Sequence, residues 1–190
     1  GPKTKSSTTR AFNTPEWKEI RLDIDKSVNP DVIGTMTNMS EIETGSVDAI
    51  YSSHNIEHLY PHEVGTALME FHRVLAEDGF VMLTCPDLQS VCQLVAEDKL
   101  LEPAYTSPAG PIAPIDMLYG FRPSMAAGNL YMSHRSGFTQ KTLIGTFEHF
   151  GFKSVAGLRR EAGFDLFCLA SKKELAEDEL ITLAKAHFPQ

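Results

Sequence analysis

Two apolar runs with a helical stripe between them constrain this chain more than any other feature. Val47-Asp48-Ala49-Ile50-Tyr51-Ser52-Ser53 and Phe80-Val81-Met82-Leu83-Thr84-Cys85 are continuous enough to be buried strands. Between them Val64, Ala67, Leu68, Phe71, Val74 and Leu75 recur at spacings of three and four, the period of an amphipathic helix. Glu77-Asp78-Gly79 is expected to stop that helix, with Gly79 in the left-handed cap position. Strands that alternate with helices point to an α/β protein with a parallel sheet covered on both faces.

The flanking segments extend this pattern. Ile20, Leu22 and Ile24 alternate with polar residues, as in a strand, and Asp31-Val32-Ile33-Gly34 is a second short strand candidate after the turn at Asn29-Pro30. Residues 88–99 read as helix. Residues 102–138 carry no periodic pattern and are too long for a plain connection, so they are expected to be an irregular insert or cap with a functional role. Thr139 can cap a helix running to Phe150, stopped by Gly151. The runs 152–158 and 164–170, separated by a polar turn, predict a closing antiparallel hairpin, and Lys172 opens a charged helix. Residues 1–15, rich in Lys, Ser and Thr, predict a loosely attached lead-in.

Length and charge exclude several classes. The chain has 190 residues, which suits one domain spanning 1–190 with one sizeable core. The net charge of -8, without a dense Lys/Arg run, argues against a general nucleic-acid surface. No segment approaches the roughly 20 apolar residues that span a bilayer, and the polar, basic start does not read as a signal peptide. The three cysteines, Cys85, Cys92 and Cys168, form no CxxC pair, so reduced thiols and a cytoplasmic location are expected.

Three places carry candidate chemistry. Asp23 ends a strand candidate, where doubly wound folds place an acid against ribose hydroxyls, and Asp25 competes for the role. His54-Asn55-Ile56-Glu57-His58 matches the H-x-x-E-H zinc-hydrolase pattern. That chemistry needs both histidines on one helix, whereas His54 ends a strand, and the third ligand would have to be Glu63, Glu70 or His134. No metal is therefore expected, and Glu57 and His58 read as the start of a helix. His134, beside Arg135 and Ser136 in the insert, is a candidate substrate ligand or proton acceptor. Asp116, Tyr119 and Arg122 in the same insert are candidate substrate contacts. There is no G-x-S-x-G elbow, no P-loop and no G-x-G-x-x-G.

Taken in order, these segments resemble the class I S-adenosylmethionine (SAM) methyltransferases. Leu22-Asp23-Ile24-Asp25 resembles the family's second motif, with Asp23 in the place of the ribose-binding acid. Gly34-Thr35-Met36-Thr37-Asn38-Met39 is similar to the segment that packs around adenine. Gly45-Ser46-Val47-Asp48-Ala49-Ile50 resembles the start of the fourth strand. Ser53-His54-Asn55-Ile56-Glu57-His58-Leu59 is similar to the family's "S-x-x-L-E-H-L". Arg73-Val74-Leu75-Ala76-Glu77-Asp78-Gly79 resembles "R-V-L-K-P-G-G", and Gly151-Phe152 opens the terminal hairpin.

The resemblance implies a Rossmann-like three-layer sandwich, mostly parallel, with a C-terminal antiparallel hairpin and S-adenosyl-L-methionine across the carboxyl ends of the strands. It implies that Asp23 and Ile24 hold ribose, that Thr35, Met36 and Asn38 line the adenine site, and that Ser53 and His54 face the methionine end. His134 and His54 become the candidate catalytic residues, and the acceptor is a small molecule or a protein side chain. The first strand and glycine loop that open the family's fold are not seen before Trp17, with Gly1-Pro2-Lys3 as a candidate remnant of the loop. Thr35 stands where the family often has Asp, and proline is missing from the "P-G-G" turn. A sheet without that strand is expected to be completed by residues upstream, by closing up, or by another chain in a homo-oligomer. A non-catalytic binding module is the alternative function. A nicotinamide-dependent enzyme and a zinc hydrolase rank below both.

Overall fold

The computed structural model describes residues 5–189, so Gly1-Pro2-Lys3 lies outside the described residues. Its centre is a four-stranded sheet of β3 (Val47–Ser53), β4 (Leu75–Pro86), β7 (Ser154–Arg160) and β8 (Asp165–Ser171). The strand order is β3-β4-β8-β7. β3 and β4 are parallel, with Ile50 opposite Val81 and Ser53 opposite Thr84. β8 is antiparallel to both of its neighbours, setting Leu169 against Met82 and Leu158 against Phe167. The sheet is therefore mixed, which corrects the expectation of a mostly parallel one. A short turn joins β7 to β8, and only an antiparallel pair can be joined that way.

The sheet is also split. β1 (Leu22–Asp23) and β2 (Val32–Ile33) pair in parallel as a separate two-stranded unit. Both are shorter than their patterns predict. Ile20 is 53% exposed and Ile24 46% exposed, so neither finds the buried surface that alternation anticipates. Leu22 alone turns inward against the main core.

Each face of the main sheet has its own core. On one side Val81, Leu83, Cys85, Leu166, Cys168 and Ala170 meet α1 (Pro61–Val74) and α5 (Gln140–His149). All five predicted apolar positions within α1 are buried, and Leu75 joins them as the first residue of β4. Pro61 occupies the first turn, where its missing N–H is not needed, and the Glu63 carboxylate accepts the Tyr60 N–H at 2.9 Å. Gly79 does not cap this helix. The chain enters β4 directly at Leu75, because pairing of Val47 with Leu75 captures the residues that would have formed a turn. α5 follows its prediction: Thr139 accepts the Thr142 N–H, and Gly151 takes a φ of 97°.

On the other side Phe80, Met82 and Leu169 are covered by Phe12, Trp17 and α6 (Glu177–His187). Phe12 is buried, stacks on Phe80 and meets Trp17 edge-on. Lys5 Nζ donates to the carbonyls of Thr14 and Trp17 at 2.6 Å each. The lead-in is thus packed from Lys5 onward rather than loose, since two aromatic rings bury more apolar surface than its polar composition suggests.

Residues 102–138 are not irregular either. They form a small hairpin, β5 (Tyr105–Ser107) with β6 (Gly110–Ile112), and two short helices, α3 (Pro114–Tyr119) and α4 (Arg122–Ala126). α2 (Leu88–Ala96) links β4 to this insert, and α2 and α3 contact each other. Val91, Ile112 and Met117 make a third, small core beneath it.

Candidate functional site

The carboxyl ends of β3 and β4 lie side by side, and the insert folds over them. Ligands in open α/β sheets bind beyond the carboxyl ends of strands. Here that space is a cavity of about 490 Å³, walled by His54, Glu57, His58 and His134 on one side and by Tyr105, Arg160, Phe164 and Asp165 on the other.

The histidine wall is built from the turn after β3. His54 leaves the strand with a φ of 52°, which is unusual for a residue with a side chain and swings the chain out of the sheet. A single 3-10 turn, Ile56–His58, follows. Ile56 is fully buried in the main core and anchors the turn. The end of the insert is strapped along it. The N–H groups of Arg135 and Ser136 donate to the Glu57 carbonyl, and Arg135 Nη1 donates to the His58 carbonyl. Arg135 also lies 4.8 Å from the centre of the Tyr60 ring.

Backbone carbonyls orient two imidazoles. His58 Nδ1 lies 3.1 Å from the Ser133 carbonyl, and His134 Nδ1 lies 2.8 Å from the Met117 carbonyl. A carbonyl oxygen can only accept, so each Nδ1 carries the hydrogen and each neutral Nε2 keeps its lone pair. The two rings meet edge-on with centres 4.9 Å apart. The Met117 and Tyr119 carbonyls that hold His134 come from the end of α3, where helix carbonyls lack internal partners. α3 stops at Gly120, whose φ is 103° and whose missing Cβ makes room for the Met132 carbonyl. Only glycine fits there.

Glu57 is 1% exposed, and neither carboxylate oxygen has a hydrogen-bond partner among the described residues. His54 Nδ1 approaches to 3.3 Å, an ion-pair distance without hydrogen-bond geometry. Ligand atoms of Glu57, His58 and His134 all lie within 4.8 Å of one another. The H-x-x-E-H pattern thus reaches one wall, but with His58 and His134 as the closest imidazole pair rather than His54 and His58. Desolvation lowers the basicity of His54, yet the Glu57 carboxylate and the charge of Asp165 outweigh it and the net shift is upward. For His134 desolvation wins over its bond to Met117 and the charge of Glu57, and its pKa falls.

The opposite wall comes from the hairpin. Arg160 pairs with Asp165 through Nε at 2.9 Å and Nη2 at 2.5 Å, directly across the β7–β8 register. Tyr105 stacks over Phe164 and its phenol is pushed up, first by burial and then by the charge of Asp165. Sequence reading missed these residues, although an Arg–Asp pair across a hairpin turn is a visible signal.

Of the predicted cofactor residues, His54 alone lines this cavity. Asp23 accepts the Asp25 N–H at 2.9 Å. Thr35 shares a hydrogen bond with Thr37 at 2.8 Å, and Asn38 accepts the Ser40 N–H. Ser53 Oγ is 3.0 Å from Thr84 Oγ1. Met36 connects the two groups, its sulfur 4.0 Å from Ser52 Oγ on β3. Among the predicted substrate residues, Asp116 and His134 line the cavity. Asp116 is committed to the Arg122 guanidinium at 2.7 and 3.0 Å and to the Ala113 and Arg122 N–H groups. Tyr119 is 62% exposed.

Residues 15–83 match the family described as "Methyltransferase domain". This stretch is similar to that family. It contains β1, β2, β3, α1 and most of β4. Among solved structures, a protein from Bordetella parapertussis described as a possible exported protein is similar, with 14% identity over 80% of this chain and 52% of its own, and a TM-score of 0.51. A SAM-dependent methyltransferase from Archaeoglobus fulgidus shares 13% identity over 80% of this chain and 74% of its own, with a TM-score of 0.49. A SAM-dependent methyltransferase from Thermotoga maritima shares 14% identity over 74% and 62%, with a TM-score of 0.46. The chain spans 62%, 32% and 52% of the first three structures it matches. No curated protein matches it. No helix among the described residues is long and apolar enough to cross a membrane.

Proposed function

We propose that this chain belongs to a methyltransferase-family enzyme that transfers a methyl group from S-adenosyl-L-methionine to a small-molecule or protein acceptor held beside the insert. The family match over residues 15–83 carries this reading. When bound, the cofactor supplies an electrophilic methyl group. Asp23 and Ile24 hold its ribose, and the loop carrying Thr35, Met36 and Asn38 receives the adenine. Ser53 and His54 receive the methionine end. The Met36–Ser52 contact fits this division, because it sets the loop against the end of β3. The acceptor occupies the cavity between His134 and the Arg160–Asp165 pair. His134 Nε2, with its lone pair free and its pKa lowered, accepts a proton from the acceptor.

Calorimetry of the full-length protein with S-adenosylhomocysteine tests the cofactor. Binding weakened about tenfold or more by Asp23→Ala, as expected for a lost charge-assisted bond, supports the assignment. No binding to the full-length protein sinks it. A non-catalytic module on the same fold is the second reading, favoured by the separation of β1–β2 from the main sheet. Weak cofactor binding unchanged by Asp23→Ala would select it.

A further inference from the structure

We infer that Glu57, His58 and His134 form a binding site for one divalent transition-metal ion facing the insert cavity. Glu57 is the starting point. Its buried carboxylate meets only His54 Nδ1, at 3.3 Å from Oε1, and neither oxygen accepts a hydrogen bond from the described residues, which is rare for a buried acid. Its carboxylate faces the cavity, and no described arginine or lysine approaches it as an ion-pair partner. A cation shared with the neighbouring imidazoles would satisfy both oxygens.

The imidazoles are prepared for the same ion. Both His58 and His134 donate Nδ1–H to a backbone carbonyl, which fixes the ring and leaves Nε2 to coordinate. Ligating histidines in metal sites are oriented by this kind of second hydrogen bond. The three ligand atoms lie within 4.8 Å of one another, and small rotations bring them to the roughly 3.4 Å separation of atoms about 2.1 Å from a tetrahedral ion. Two imidazoles and one carboxylate suit zinc or iron(II), with positions left open. Those positions face the cavity, where a hydroxyl or carboxylate oxygen of a ligand would complete the shell. In the metal-bound protein His134 is a ligand rather than a proton acceptor, and His54 is the imidazole on this wall outside the set.

The inference does not depend on methyl transfer, and its test does not read activity. Protein stripped with a chelator is titrated with Zn²⁺ by calorimetry, and with Co²⁺ followed by its visible d–d absorption. One equivalent is expected to bind, raising the melting temperature and giving the Co²⁺ spectrum of mixed nitrogen and oxygen ligation. Glu57→Gln and His134→Asn are each expected to weaken binding about 100-fold, within the range that changes at metal sites produce. His62→Asn, on the exposed face of α1, should leave it unchanged. If a variant fails to fold, the wild-type Co²⁺ spectrum and melting shift decide alone. Absence of stoichiometric binding to the wild type, or binding indifferent to both variants, overturns the site.

Discussion

Asp116 and His187 show how burial changes what a polar residue can do. A buried acid in a pocket wall reads as a substrate ligand, but Asp116 already holds Arg122, caps α3 and ties 113 to 122. Desolvation opposes its ionisation, yet Arg122 and the two N–H groups outweigh that and lower its pKa. Its spacing to Arg122 was visible in sequence; its burial was not. His187 is the reverse case, a histidine with no motif around it. It lies against Phe12 and Phe80, with Nδ1 2.8 Å from Thr9 Oγ1, and burial pulls its pKa from 6.5 to about 4. The unfolded chain therefore takes up a proton below pH 6.5 that the folded imidazole refuses until about pH 4. Its contribution is intact above pH 6.5 and is lost progressively as pH falls to about 4, a change on the order of 3 kcal/mol. Urea denaturation across this range should show a shallower acid loss for His187→Asn than for the wild type. Equal slopes would mean that other groups govern it.

At the scale of elements, the legible parts were those with a complete local signal. β3 has the predicted bounds, but as an edge strand broken by Asp48 it is half-buried rather than buried as its pattern predicts, and α5 has its cap, stripe and terminating glycine. The insert was illegible because its elements are three to six residues long, too short to display a period. The Glu57–His58–His134 wall was only half legible for a related reason. H-x-x-E-H is local, but His134 arrives through α3 and Gly120, and chain separation hides that contact. The loop after β2 owes its shape to α1. Arg73 donates to the carbonyls of Met39 and Ile42, while Glu70 pairs with Arg73 and accepts the Met39 N–H at 2.7 Å. This staple holds the predicted adenine-side loop against α1. Arg73→Leu leaves Glu70 and two carbonyls without it, and is expected to lower the melting temperature. Hydrogen exchange at the Met39 amide should accelerate in parallel. An unchanged exchange rate would show that loop packing, not Arg73, sets its position.

For the molecule as a whole, the unresolved tension is the second edge of β3. That strand pairs with β4 alone, and β1–β2 stands apart as its own small sheet. The separation leaves a row of peptide groups on β3 without a ladder among the described residues. Exposed edges of this kind recruit another strand unless charge, proline or a bulge protects them. β3 has only Asp48 as a charge, no proline, and a register shift confined to Val47–Ala49. The stretch from Ile50 to Ser53 is therefore the open part, and it leads directly to His54. We propose that this edge drives self-association into a homo-oligomer. Sedimentation velocity should show a mass that rises with protein concentration, and the amides of residues 50–53 should exchange more slowly as it does. A mass that stays monomeric across the accessible concentrations would mean that β1–β2 and the loop after it shield the edge. Association with unchanged exchange at 50–53 would place the contact elsewhere. The expected coupling has a consequence at the site. An added strand would stiffen the point where His54 leaves the sheet, so ligands of the histidine wall should bind more tightly at concentrations where the oligomer forms.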